Sequence, residues 1–276
     1  MSEPAACCPP DSHPYLSPRK GNGHFDVVSS SALDFRIYVA DSGQTCASKD
    51  IIVVFTDVYG VDSGNHQTFA DALSKKTGKT VLVPDLFRSS PAMNPWFPWL
   101  LPDTMASALG FPGMLARLKM RHTKEAVMSD VSKLVVPYVR KRFGDDVTIG
   151  CVGFCFGGWV VGQCLTTDDF TWGVGVHPSF NVELLHRRSE VGLAKKIKGR
   201  VLLLPAGNDS AELQIGGGAV SILAAKYGVA EDQVCKPFLN MKHGWVTRGD
   251  GSKNDAIKQA QESVLDIIGT FVKDFE

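Results

Sequence analysis

The sequence predicts an α/β fold with a mainly parallel sheet covered by helices on both faces. Three observations carry that expectation. Short apolar runs such as Ile51–Phe55 (IIVVF) and Val201–Leu204 within Arg200–Leu204 (RVLLL) show no polar alternation, as in strands buried on both sides. Stretches with helical spacing alternate with them along the chain. No internal repeat or low-complexity linker divides the 276 residues. Residues 25–276 therefore read as one domain, preceded by an extension over residues 1–24 rich in Pro, Ser and Gly.

Each element has its own signal. Phe25–Val28 and Phe35–Val39 are two short β-like runs and predict an antiparallel hairpin at a sheet edge. Strands follow at Ile51–Phe55, Thr80–Val83, Val147–Val152, Thr171–Val176, Arg200–Leu204 and Val234–Leu239. Helices are expected over His66–Lys76, Thr123–Phe143, Gly157–Leu165, Ala219–Tyr227 and Asp255–Phe275, with Pro137 kinking the second. Residues 89–113 stand apart, with five prolines, two tryptophans and two phenylalanines. They read equally as a loop packed on the domain and as a cap over a cleft.

Composition narrows the function. Lys+Arg and Asp+Glu both number 29, which argues against nonspecific nucleic-acid binding, where a cationic face must displace counterions. No run of 18 apolar residues predicts a membrane span, and the first residues lack the charged and apolar regions of a secretory signal. The seven scattered cysteines suit thiols in a reducing compartment, so a cytoplasmic location is expected. Cys7, Cys8 and His13 have no second ligand pair at finger-like spacing and read as part of the tail, not as a metal site. No phosphate-binding or dinucleotide motif is present, and no cofactor is expected. Gly216–Gly218 is a flexible turn before a helix.

The most informative segment is Gly153-Phe154-Cys155-Phe156-Gly157, between a strand and a helix. It has the form of a G-x-S-x-G nucleophile elbow with cysteine in place of serine. Such a turn strains the backbone, and side chains two residues before and after the nucleophile would collide. It also sets the sulfur at a helix N-terminus, where dipole and N–H groups favour a thiolate and an oxyanion. The plainer reading is a buried structural Cys at a tight turn. Cys151 and Cys164 read as core.

A cysteine nucleophile needs a base and a group to orient it. Asp209 follows the Arg200–Leu204 strand and His243 follows Val234–Leu239, so both reach the rim where Cys155 emerges. Asp209 could equally be a turn residue or helix cap, and His243 a satisfied structural histidine. His177, which also ends a strand, rivals His243, but the chain order nucleophile, acid, histidine favours His243.

Further signatures are Thr56-Asp57-Val58-Tyr59-Gly60-Val61, Val83-Pro84-Asp85-Leu86-Phe87 and His243-Gly244-Trp245. With the elbow and Asp209 they resemble the dienelactone hydrolase family of α/β-hydrolases, from about residue 25 to the C-terminus. The Cys-Cys-Pro tail is also similar to tails of eukaryotic members. The resemblance implies an α/β-hydrolase fold and a cysteine-dependent hydrolase of small esters, lactones or dienelactones. It implies Cys155 as nucleophile, Asp209 as acid and His243 as base, with the N–H groups of Val58 and Phe156 as the oxyanion hole. Asp57 stands where the family typically has a glutamate that activates the thiol, and aspartate is one methylene shorter. Arg88 lies near an arginine that binds substrate carboxylate in some members. The plainer reading of Asp57 and Arg88 is a surface ion pair.

The partner expected is a small-molecule ester or lactone, with neither nucleic acid nor membrane, and homodimer formation is left open. Two rival readings remain: a noncatalytic binding or interaction module that keeps the elbow as scaffold, and a redox sensor centred on Cys155. The second has no C-x-x-C motif and no obvious resolving cysteine in its favour.

Overall fold

The structure is a computed structural model; it describes residues 8–9, 11–29, 35–40, 50–88, 114–115 and 117–275. The Pro- and Trp-rich stretch 89–113, Cys7 and Cys46 lie outside the described residues.

Among the described residues, seven strands form one mixed sheet in the order β1-β2-β4-β3-β5-β6-β7. They are β1 (His24–Ser29), β2 (Phe35–Ala40), β3 (Asp50–Phe55), β4 (Thr80–Pro84), β5 (Thr148–Phe154), β6 (Trp172–Val176) and β7 (Arg200–Leu204). β1 and β2 pair antiparallel, as does β2 with β4; all other pairs are parallel. Continuous apolar runs become strands because both faces are covered: β4 is buried at all five positions.

One face carries α1 (His66–Thr77), α8 (Trp245–Arg248) and α9 (Asp255–Lys273), whose Phe69, Leu73, Trp245, Val264 and Ile268 pack with Val54, Val83 and Val174. The other carries α2 (Lys124–Asp130), α3 (Val136–Phe143), α4 (Phe156–Cys164), α6 (Glu190–Lys196) and α7 (Gly218–Tyr227). A short helix, α5 (Val182–Leu185), precedes α6. α1 stops at Gly78, whose φ of 69° is a left-handed conformation natural to glycine. The expected kink between 123 and 143 takes a specific form. Residues Val131–Val135 widen into a π-helical turn, and Pro137 sits in the first turn of α3, where its missing N–H is harmless.

One expected strand is corrected. Val234–Leu239 pairs beside β7 only through two parallel bridges, Leu203 with Cys235 and Ala206 with Phe238. Pro237 lies between them and has no N–H to continue a ladder. The segment still ends at the rim, carrying the chain on to His243.

The extension also differs from a loose tail. Cys8 is buried, the His13 N–H donates to the His243 carbonyl at 2.9 Å, and the Arg19 N–H donates to the Gly64 carbonyl at 2.8 Å. Residues 8–9 and 11–19 thus lie across the loops that follow the strands.

The short helix α8 is locked from two sides. Asn65 Nδ2 donates to the carbonyls of Val246 and Gly249, and Gln261 Nε2 reaches those of Trp245, Val246 and Gly249. The Trp245 carbonyl also accepts from the Gly249 N–H, whereas those of Val246 and Gly249 depend on the two side-chain amides. Gln261→Ala takes one of two donors from each of the three carbonyls in a part-buried place; a loss of about 1 kcal/mol in urea-derived stability is expected.

Candidate active site

The site is built where the parallel strands end. After β5, Cys155 adopts φ 54° and ψ −115°, a region that L-residues rarely occupy. The elbow closes because its flanking glycines have no side chains. A Cβ on Gly153 would lie 2.1 Å from the Gly157 carbonyl oxygen, and one on Gly157 would lie 2.1 Å from that of Phe55. The Cys155 N–H donates to the Val176 carbonyl, and its own carbonyl accepts from Gly158 and Ser179. Ser179 Oγ lies 3.5 Å from Cys155 Sγ. α4 begins at Phe156, so the sulfur stands at a helix N-terminus, at the positive end of its dipole.

Asp209 and His243 arrive from the two loops beyond. His243 Nδ1 is 2.5 Å from Asp209 Oδ1, with both side chains buried. The other Asp209 oxygen accepts from the Ala206 N–H at 2.7 Å, and Asn208 Oδ1 accepts from the His243 N–H at 2.7 Å. The two loops therefore fix each other. Ligand atoms of Cys155, His243 and Cys8 lie within 4.8 Å of one another, a trio whose donor types would suit a soft cation. Burial alone would push the His243 imidazole down. Asp209 and Cys155 outweigh burial and raise it to about 9.

Histidine 177, the rival, ends β6 directly behind His243, with ring centroids 4.9 Å apart. It is boxed by Phe154 and Trp245, and burial drives its pKa well below the usual value, so it stays neutral.

Val58 is buried in the turn after β3. Asp57 beside it is fully buried and its carboxylate is engaged. Oδ1 accepts from the Tyr59 N–H at 3.0 Å and lies 3.1 Å from His66 Nε2. Oδ2 accepts from Thr247 Oγ1 at 2.9 Å and lies 3.8 Å from Arg248 Nη1. Burial opposes the charged carboxylate, but His66, Arg248 and the Tyr59 N–H outweigh it and hold the pKa well below the usual range. Arg88 stands elsewhere. It makes a bidentate pair with Asp130 at 2.7 and 2.8 Å, over the Phe35 ring, in a cleft of about 420 Å³ that also includes Phe87 and His122. Phe87 packs on Phe156, which links that cleft to the elbow.

Sequence reasoning missed three residues here. Arg248 is buried, with its guanidinium 5.2 Å from the Tyr59 ring centroid and its charge felt by Cys8 and Cys155. Its Nε and Nη2 donors have no hydrogen-bond partner. His66 sits under Asp57. Cys8 Sγ, from the N-terminal segment, is 3.3 Å from Cys155 Sγ. Arg248, five residues past His243, was the one legible in principle, as a cation on the histidine loop.

The family model for the dienelactone hydrolase family matches residues 35–272. The chain belongs to the dienelactone hydrolase family. The enzyme is 30% identical to the carboxymethylenebutenolidase homolog of Mus musculus over 234 residues, 82% of this chain and 84% of that protein. The Rattus norvegicus homolog is 29% identical over the same share. A solved structure assigned as a dienelactone hydrolase of Klebsiella pneumoniae shares the fold, with a TM-score of 0.61 and 17% identity over 88% of this chain and 96% of that one. An acylaminoacyl peptidase of Pyrococcus horikoshii also has a TM-score of 0.61, with 15% identity over 92% of this chain and 42% of its own. The hydrolase thus has the α/β-hydrolase fold and is a carboxylic ester hydrolase. No helix among its described residues is long and apolar enough to cross a membrane.

Two outcomes follow for the hydrolase. The raised His243 pKa stabilises the fold in full below the ordinary value of 6.5, and that stabilisation fades as pH rises through about 9. Asp209→Asn removes the main cause. Its urea midpoint is expected to fall less than that of the wild type between those two pH values. Gly157→Ala forces a Cβ into backbone and is expected to lose more than ~3 kcal/mol or fail to fold, checked by soluble yield and thermal melting.

Proposed function

We propose that the enzyme hydrolyses small esters, lactones or dienelactones through Cys155, Asp209 and His243. The observation that supports this best is the buried 2.5 Å contact between Asp209 and His243 beside a sulfur on a strained elbow. Asp209 takes Nδ1 and leaves Nε2 to the sulfur side, which fixes the imidazole for proton transfer. A raised His243 pKa favours the ion pair of imidazolium with thiolate, the form in which cysteine is the nucleophile.

The Cys155 thiolate attacks the carbonyl carbon. The tetrahedral oxyanion is held by the N–H groups of Phe156, at the start of α4, and Val58. His243 gives its proton to the leaving alkoxide, then draws one from water as the water attacks the thioester. Asp57 shapes the turn that presents Val58 by accepting the Tyr59 N–H. In this reading Asp57 is an anchor of loop and cation. It does not activate the thiol. Arg248, with two unpartnered donors in the site, is the cation for an anionic substrate group. Arg88 is held by Asp130. The steps use side chains and backbone N–H groups only and call for no cofactor, nucleic acid or membrane.

A thiolate is a good leaving group as well as a strong nucleophile, so activated esters and enol-lactones are the substrates favoured. Cys155→Ala is expected to lower kcat/KM on aryl esters and dienelactones by at least about 10³-fold, and Asp209→Asn by about 10²–10⁴-fold. Undiminished turnover in Cys155→Ala would refute the reading. Arg248→Gln is expected to raise KM for carboxylate-bearing substrates more than for neutral ones, checked by paired assays.

A further inference from the structure

The N-terminal segment delivers a second sulfur to the elbow. Cys8 Sγ lies 3.3 Å from Cys155 Sγ, although 147 residues separate them. Both thiols are buried, at 8% and 0% exposure. The approach is held in place by the strap that follows. Ser12 folds back on the Pro9 carbonyl, and the His13 N–H donates to the His243 carbonyl. Asn208 Nδ2 donates to Asp11 Oδ1 at 2.6 Å. Further along, Leu16 and Arg19 pair with Gly64, and Arg19 reaches Asp250. The strap is thus tied to the loops that carry Asp209 and His243.

We infer that Cys8 is a resolving thiol for Cys155: a hydroperoxide oxidises Cys155, and Cys8 captures the product as a reversible Cys8–Cys155 disulfide that shuts the site. The chemistry balances in two steps. The Cys155 thiolate attacks the peroxide, the O–O bond breaks, and sulfenic acid and an alcohol (or water) form as one proton is taken up. The sulfur is oxidised by two electrons and the peroxide reduced. The Cys8 thiol then attacks the sulfenic sulfur, an S–S bond forms, and water leaves. An external dithiol reverses the second product by exchange, itself becoming a disulfide.

The geometry favours this pair over any other described cysteine. A disulfide needs its sulfurs at about 2.0 Å, so the two must close by little more than 1 Å. Cys151 and Cys164 are fully buried in the core, where desolvation raises their thiols far above the usual range. Burial also pushes Cys235 up to about 12. Arg248 and His243 place positive charge beside Cys8 and Cys155 alone among these thiols. The inference shares with the proposed hydrolysis only the reactive Cys155 thiolate.

The test uses the full chain, treated with a small excess of hydrogen peroxide in the presence of a chelator. Three readouts are followed: intact mass, fragment-resolved peptide maps and aryl-ester turnover. Wild type is expected to lose about 2 Da, to yield a linked pair of peptides joining residues 8 and 155, and to recover on addition of dithiothreitol. Cys8→Ala is expected to gain about 32 or 48 Da at Cys155, as sulfinic or sulfonic acid, with no recovery. Cys7→Ala is expected to behave as wild type. Absence of the 8–155 link in oxidised wild type overturns the inference, as does full recovery of Cys8→Ala. So does protection that depends on Cys7 instead. Stoichiometric zinc or copper in the purified protein, with both thiols unreactive until chelated, would assign the trio to a metal and overturn it too. The mass readouts stand even if no ester is turned over, whereas equal turnover by untreated wild type and Cys155→Ala counts against the hydrolytic reading alone.

Discussion

Everything at this site depends on a backbone conformation that an L-residue avoids. Cys155 at φ 54° costs about 1–3 kcal/mol, and it persists because its surroundings leave the chain no alternative. β5 feeds the turn from a position buried between β3 and β6, and α4 leaves it at once. The Cys155 N–H and carbonyl both have partners, so the strain is not compounded by unsatisfied polar groups. The glycines on either side are required by backbone, not by side chains, and backbone cannot yield. The turn therefore fixes three things together: the sulfur above the sheet, the first N–H groups of the helix beneath it, and the distance to the loops beyond β6 and β7.

Charge is arranged around that sulfur in layers. Nearest are the imidazole of His243 and the guanidinium of Arg248, both buried and each anchored by a carboxylate, Asp209 and Asp57. A buried cation without a counter-charge would be prohibitively desolvated. The anchors keep the cations charged while leaving one face of each toward the sulfurs. Asn65 and Gln261 hold α8, which carries Arg248 and Thr247, so the cationic side of the site is set by polar side chains of α1's cap and α9. His177 completes the box as a neutral ring that denies His243 other positions.

Much of this was legible in the chain. The alternation of apolar runs with helical spacing specified the sheet and both helical layers, because burial on two faces leaves a composition that few other architectures produce. The elbow was legible because its glycines answer a local steric demand, and Asp209 and His243 because β7 and the bridged segment beside it run parallel and end at one rim. The losses are equally physical. Val234–Leu239 has a strand's composition, yet Pro237 withholds the donor a ladder needs. Asp57 looked like a short substitute for a glutamate, and its partners, His66 and Thr247, come from segments whose approach no local pattern encodes. Arg248, five residues past His243, was legible as a cation on that loop but not as a buried one.

Cys8 was the least legible, since a segment without periodicity announces no docking place. Its anchors suggest why it can both cover the site and leave it. The pairs Arg19–Asp250 and Asp11–Lys242 lie in solvent, where screening leaves such pairs little weight. The backbone bonds at His13, Leu16 and Arg19 exchange with water at a net cost of about 1 kcal/mol apiece. A strap held this way opens by breaking several weak contacts rather than by unfolding a core. Cys155 has no exposed surface with the strap in place, so the proposed chemistry requires the strap to open. On the proposed chemistry, ester and peroxide would enter through the same motion. If Cys155 is the proposed nucleophile, its reactivity alone does not distinguish a carbonyl carbon from a peroxide oxygen. With a second sulfur returning each time the strap recloses, an encounter with peroxide ends one step up the oxidation ladder, where reduction still works, instead of at its irreversible end.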